Sequence, residues 1–407
     1  MMRYVILISF LLLTIKVSSQ QETKQYNFSI YDGPKLFTMQ QFNTNYLSSY
    51  RLLSRSLNQV SQNIYVKTGA KFIFLAFIGM PLTHEEGHRS ILTDQSIGSI
   101  SQPFFNSKGV AYVKGVTDAS LKDLRDNHLT DFIHLHTAGL ESDYILAKQE
   151  EQMLIFHQEN FDVLYEEFIL RKISPVNYHL TTLIPGMFPE IKEENNELDR
   201  DIVGHDIWGM VRHLFRPDMP FKRYTNFDDL TADEKRYAKK LAYRSFINFA
   251  SPTLFHIKNF KIAGDVQFNF SLGHSLAPFG DYFEQNFWLI KSELFFHFYI
   301  RQYMNLNNTY WAGGVSLIKF PLFNNKLHVT TNFDFWQQPK DFSFVENKDF
   351  QGFSFQTGLD IDIFKSKKTI KTMGINLQYQ YKSKGFLEGI ASLDKNNNFR
   401  VGCYVRY

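Results

Sequence analysis

The chain has 407 residues, with 44 Lys+Arg against 41 Asp+Glu and a formal net charge of +3. That balance excludes a dominant basic stripe for nucleic acid and a dominant acidic tail. A mean hydropathy of −0.27 speaks against a polytopic helical membrane protein. The 16% aromatic content leaves room for a membrane β-barrel, whose outward apolar and inward polar residues alternate and cancel in any hydropathy average. Cys403 is the single cysteine, so any metal site must be built from histidines and carboxylates.

Residues 1–19 read as a secretory signal: Arg3, an apolar stretch from Val5 to Ile15, and the small residues Ser18 and Ser19 before Gln20. From about residue 37 to 255 the pattern is mainly helical. Asn43 to Ile64, Asp118 to Asn127, Ala138 to Arg171, Asp199 to Phe215 and Thr231 to Phe249 carry apolar residues at three-to-four spacing. Thr117 and the Thr231/Glu234 pair are helix-start signals, the latter a capping box. Phe72 to Leu82 is the longest later apolar run. It is too short for the roughly 20 residues of a membrane-crossing helix, and is expected to be a buried helix or strand.

Directly after that run stands His84-Glu85-Glu86-Gly87-His88. On a helix the two histidines lie one turn apart on one face and can ligate one Zn²⁺, with Glu85 beside them as general base for a metal-activated water. The pattern resembles the HExxH zinc metallopeptidases, and Gly87 before the second histidine is common in their membrane-associated members. In the gluzincin type a glutamate from a later helix completes the site, which here implies Glu141 of the segment His136 to Tyr144, with Asp143 orienting a ligand histidine. The family register would place that glutamate at Gly139, so His134 and His136 remain alternative third ligands. Asp201 to His213 form an otherwise apolar helix in which Asp206, Met210 and His213 share a face. Its His205 is the candidate for stabilising the oxyanion, against a purely structural buried His–Asp pair. The reaction implied is peptide hydrolysis.

From about residue 262 the hydrophobic period changes to two. In Met373 to Tyr381 every odd position is apolar or aromatic and every even one is glycine or polar, and four further segments repeat the pattern. Segments at 264–273, 284–301, 309–320, 326–336, 352–364, 372–382, 385–393 and 398–407 predict about eight strands. A terminal aromatic, Tyr407, resembles the last strand of Gram-negative outer-membrane barrels.

The sequence therefore predicts an α+β multidomain protein: a signal peptide (1–19), a mainly helical zincin-like domain (20–255), and a C-terminal antiparallel β-barrel of about eight strands (256–407) in the outer membrane. The helical domain is expected on the periplasmic side, with zinc as cofactor, envelope peptides or proteins as substrates, outer-membrane lipid as a partner, and no nucleic acid. Two readings compete with a peptidase. One is a non-catalytic membrane protein whose helical domain binds a partner; the other is a metal-dependent hydrolase of another envelope amide or ester.

Overall fold

A computed structural model describes residues 24–407 except 36–37, 61–62, 103–110, 185, 189, 191 and 367–369; the predicted signal peptide lies outside the described residues. The chain opens with strand β1 (Gln25–Gly33), then helix α1 (Met39–Val60). Next comes one continuous helical rod: α2 (Ile64–Phe74), a π-helical turn (Leu75–Gly79) and α3 (Met80–Asp94), which carries the two histidines. A small hairpin of β2 (Ile100–Gln102) and β3 (Tyr112–Lys114) precedes α4 (Asp118–Asn127), α5 (Leu129–Ile155), α6 (Phe161–Leu183), α7 (Asp206–Phe215) and α8 (Ala232–Ser245).

The helix starts follow their caps. The Thr117 hydroxyl accepts from the Ser120 amide, and Thr231 with Glu234 forms the full capping box. The single helix expected over Ala138 to Arg171 is two, α5 and α6, separated by a break where His157 takes a φ of 55°. The Phe72–Leu82 run is helical but not buried, since Phe72, Ile73 and Phe77 face outward.

The C-terminal part is not an eight-stranded barrel. It contributes nine strands to an open, antiparallel, ten-stranded sheet: β4 (Phe260–Ala263), β5 (Val266–Ala277), β6 (Gly280–Lys291), β7 (Leu294–Met304), β8 (Thr309–Leu322), β9 (Leu327–Pro339), β10 (Asp349–Lys365), β11 (Thr372–Lys382) and β12 (Asn396–Arg406). The tenth strand is β1, which pairs with β12 and forms one edge; β4 forms the other. The expected long strand 284–301 is a hairpin turning at Ser292, where φ is 54°. The expected strand 385–393 is a loop.

Side chains and backbone of the helical region occupy β1 at one edge and the stretch of β5 beyond β4 at the other. On β1, the Ser48 hydroxyl of α1 takes the Asn27 amide and donates to the Asn27 carbonyl, while Asn45 does the same for Ser29. At the other side, where β5 runs past β4, Asn248 bonds both the amide and the carbonyl of His274, and the Ala250 carbonyl accepts from Leu272. Edge groups that would otherwise template further pairing are thereby satisfied.

The polarity of the sheet is inverted relative to a water-soluble sandwich. Phe333 and Phe335 are 47% and 44% exposed while Asp334 and Trp336 between and after them are buried. Phe353 and Phe355 flank the buried Ser354, and Phe298 and Ile300 flank Tyr299 in the same way. Helix α5 packs against the side that carries the buried polar residues. Tyr144 joins Tyr282, Tyr303 and Phe386 in one core. Beside it, Lys148 reaches Glu284 (3.1 Å) and Glu388 (2.8 Å), and Arg301 pairs with the same two carboxylates. Two cations against two anions, each hydrogen-bonded, is the arrangement in which buried charge is tolerated.

Candidate metal centre

His84 and His88 point from α3 toward α5 and α7. The two helices α3 and α5 approach closely because two glycines face each other's backbone or rings. A Cβ on Gly87 would run into the Ala138 carbonyl, and a Cβ on Gly139 would fall within 2.5 Å of the Nε2 atoms of both His84 and His88. Zn–N bonds are about 2.0–2.1 Å long, so the missing Gly139 side chain leaves free the space an ion on both imidazoles needs.

The carboxylate that meets the histidines is that of Asp206, the first residue of α7. His84 Nε2 lies 3.2 Å from Asp206 Oδ2 and His88 Nε2 lies 3.5 Å from Asp206 Oδ1. The three ligand atoms lie within 4.8 Å of one another, and this His–His–Asp group can hold a metal ion.

The outer nitrogens are fixed independently. His88 Nδ1 is 2.6 Å from the Leu135 carbonyl, which can only accept, so Nδ1 carries the proton. Burial holds the His88 pKa below its usual value, so its Nε2 presents a lone pair toward the Asp206 carboxylate. A cation between two such buried acceptors would satisfy both. Asp206 Oδ2 has no aligned hydrogen bond although it is buried. On His84, burial works to lower the pKa, but the Asp143 and Asp206 carboxylates on its two nitrogens raise it well above the usual value.

Behind His84 runs a buried relay. Asp143 Oδ2 takes His84 Nδ1 at 2.9 Å, and Arg171 of α6 donates to Asp143 Oδ1 at 2.6 Å and to the Thr83 hydroxyl at 2.6 Å. Arg171 also reaches the Gly79 carbonyl at the end of the π-helical turn. The Thr83 hydroxyl donates to the same carbonyl, so the guanidinium grips the rod that bears the histidines through both Thr83 and Gly79. Glu85 is 7% exposed. Burial pushes its carboxyl pKa well up, with Asp201, Asp206 and Asp143 adding to the shift and His84 opposing it. The charge of a bound dication would oppose it further.

Glu141, the expected third ligand, is on α5 but outside the cluster. Its Oε2 is 2.7 Å from His134 Nε2 and its Oε1 accepts from the Gly389 amide at 2.6 Å, so it ties α5 to the β11–β12 loop. That pairing also occupies His134. His136 stacks on His213 with centroids 5.5 Å apart. His205 lies flat on Trp208, 3.6 Å between centroids, and its Nε2 meets the Thr181 hydroxyl at 2.9 Å. Burial lowers its pKa to about 3. Next to it Tyr178, whose ring is 6.0 Å from that of His84, has its hydroxyl on the Asp206 amide at 3.1 Å. The sequence assigns Tyr178 no role, and Asp206 only that of the carboxylate in a structural His–Asp pair. The one available signal for Asp206 was a carboxylate sharing a face with Met210 and His213 in an otherwise apolar segment.

No protein-family model, curated protein or solved structure matches the chain.

Proposed function

We propose that the chain is a zinc-dependent hydrolase of the bacterial cell envelope, acting on peptide bonds, with the outward face of its open sheet set in the outer membrane. The observation that carries the hydrolase reading is the convergence of His84, His88 and Asp206 around the space left by Gly139, with Glu85 on the same helix turn. Nitrogen and carboxylate ligands in a buried group of three fit zinc, and three protein ligands leave a position open for a water or substrate. Zinc held there would supply a polarised carbonyl and an acidified water.

The chain's own groups do the rest. Glu85 receives the proton of the attacking water on its carboxylate and returns it to the leaving amine. Asp143, held by Arg171, keeps the His84 ring oriented. Tyr178, whose hydroxyl accepts from the Asp206 amide and keeps its own proton to donate, takes the role expected of His205, whose ring is committed to Trp208 and Thr181. Support for the membrane setting is the aromatic and aliphatic outer face of β7 to β12 over a charged interior, since lipid-facing strands carry their apolar residues outward.

A second reading has its own support. His88 and Asp206 are each 1% exposed, and only the His84 ring opens appreciably to solvent, which suits a structural ion as well. Metal content per chain, followed by peptide cleavage by wild type and Glu85→Gln, tests both. One zinc per chain with cleavage lost in Glu85→Gln is the expected result. One zinc with no hydrolysis by wild type overturns the peptidase in favour of the structural ion, and no zinc after reconstitution overturns both.

A further inference from the structure

The rod that carries the histidines begins with an apolar surface that is exposed among the described residues. From residue 64 to 77 every exposed position is apolar or aromatic: Ile64, Tyr65, Val66, Phe72, Ile73, Ala76 and Phe77. A Cβ on Gly69, on the same side, would meet nothing within 4 Å. The lysine of this stretch that is buried points the other way, Lys71 Nζ donating to the Asp162 carbonyl at 2.5 Å and to Glu166. The whole rod, Ile64–Asp94, is long and apolar enough to cross a membrane, yet only 17% of its most apolar window is buried. Its second half cannot lie in lipid, because Glu85, Glu86 and His88 are packed within the protein.

We infer that the outer stripe of α2 and the π-helical turn is immersed in the hydrocarbon of the same bilayer that receives the sheet. This rests on the membrane setting proposed above. Three observations favour lipid over a second protein copy. The stripe has no polar residue among its exposed positions, whereas a protein interface carries a polar rim. Tyr65 stands at its start, where an amphipathic ring suits the headgroup level. Finally, α2 lies against α1 and α6. Of these, α1 seals the β1 edge, and α6 bonds through Tyr165 to the Leu254 carbonyl, next to the segment that seals β5. The helices α1 and α6 thus connect the two sheet edges, and the α2 helix lies against both of them with its apolar stripe exposed. His84 follows Phe77 by about two turns, roughly 10 Å along the axis. The metal group then stands at the polar border of the bilayer, and the substrates it meets are peptide segments held at the membrane surface.

The test uses the full chain with Cys403→Ser, spin-labelled singly at Ile73→Cys, Phe77→Cys, Phe333→Cys or Asp233→Cys, in phosphatidylcholine–phosphatidylglycerol vesicles. Collision with oxygen, which concentrates in lipid, is compared with collision with a water-soluble nickel chelate. Labels at Ile73, Phe77 and Phe333 are expected to favour oxygen, and that at Asp233 the chelate. A lipid-like Phe333 with water-like Ile73 and Phe77 overturns the inference and leaves the membrane sheet standing. Ile73 and Phe77 shielded from both reagents also overturns it, in favour of a second copy. Water-like signals at all sites overturn the membrane setting itself and the inference with it.

Discussion

Gly139 faces His84 and His88 with a hydrogen where any other residue would place a carbon within 2.5 Å of both ring nitrogens. The space between the imidazoles is therefore kept open by α5, and Asp206 reaches the edge of that space from α7.

Gly139→Ala is expected to abolish metal binding although it removes none of the three ligand residues, because its methyl displaces the two imidazoles. The added methyl competes for the ion's position, and overpacking of this kind costs about 1–3 kcal/mol of stability. Metal content by mass spectrometry and a denaturant midpoint on the same sample check it. A folded Gly139→Ala protein with a full zinc complement would show that the ion, if any, binds elsewhere.

Asp206→Asn and Glu141→Gln separate the observed cluster from the expected one. The first should lose zinc with little change in fold. The second should keep zinc and lose stability, because the His134–Glu141–Gly389 contacts hold α5 to the β11–β12 loop with both side chains fully buried. Leaving a buried hydrogen-bonding group without its partner costs about 1–3 kcal/mol, and Gln, which retains an acceptor for Gly389, should fall at the lower end. Zinc titration beside urea unfolding reads both, and zinc loss in folded Glu141→Gln would return the glutamate to the ligand set.

The contrast shows what the sequence carried. His84 and His88 were legible because helical spacing alone puts i and i+4 on one face. The third ligand comes from a distant helix, and only tertiary packing decides whether Glu141 or Asp206 meets them. Gly139 was flagged by register as the place for a glutamate; it does face the histidines, but with no side chain to offer. In the sheet, the period of two identified strands, yet it ran unbroken through Ser292. The tight turn there sets Trp288 opposite His297, so even positions of β6 share a face with odd positions of β7. Continuous parity therefore hid a hairpin. Strand β1 was missed because its pairing partner, β12, lies at the other end of the chain.

The sealed edges predict a local weakness. Asn248→Ala leaves the buried His274 amide and carbonyl without partners, for about 1–3 kcal/mol per group. Amide exchange at His274 should accelerate far more than at Phe298 in mid-sheet. Asn45→Ala should do the same at Ser29. Uniform exchange across the sheet in either variant would mean that these asparagines do not hold the edges.

Acid sensitivity should trace in part to His213. Its Nδ1 meets the Gly209 carbonyl at 2.7 Å, its ring packs on Phe132 and His136, and Arg212, Arg125 and Arg216 add positive potential. Burial, helped by those arginines, lowers its pKa to about 4, against about 6.5 in the unfolded chain. Between those values the unfolded state binds the extra proton, so stability rises with pH across that window and is lost as pH falls from 6.5 toward 4. At pH 5 the loss from this residue is roughly 2 kcal/mol. His213→Phe keeps the aromatic packing without the titration, and so should narrow the gap between unfolding free energies at pH 7 and pH 5 by about that amount. An unchanged gap would assign the acid sensitivity to other groups.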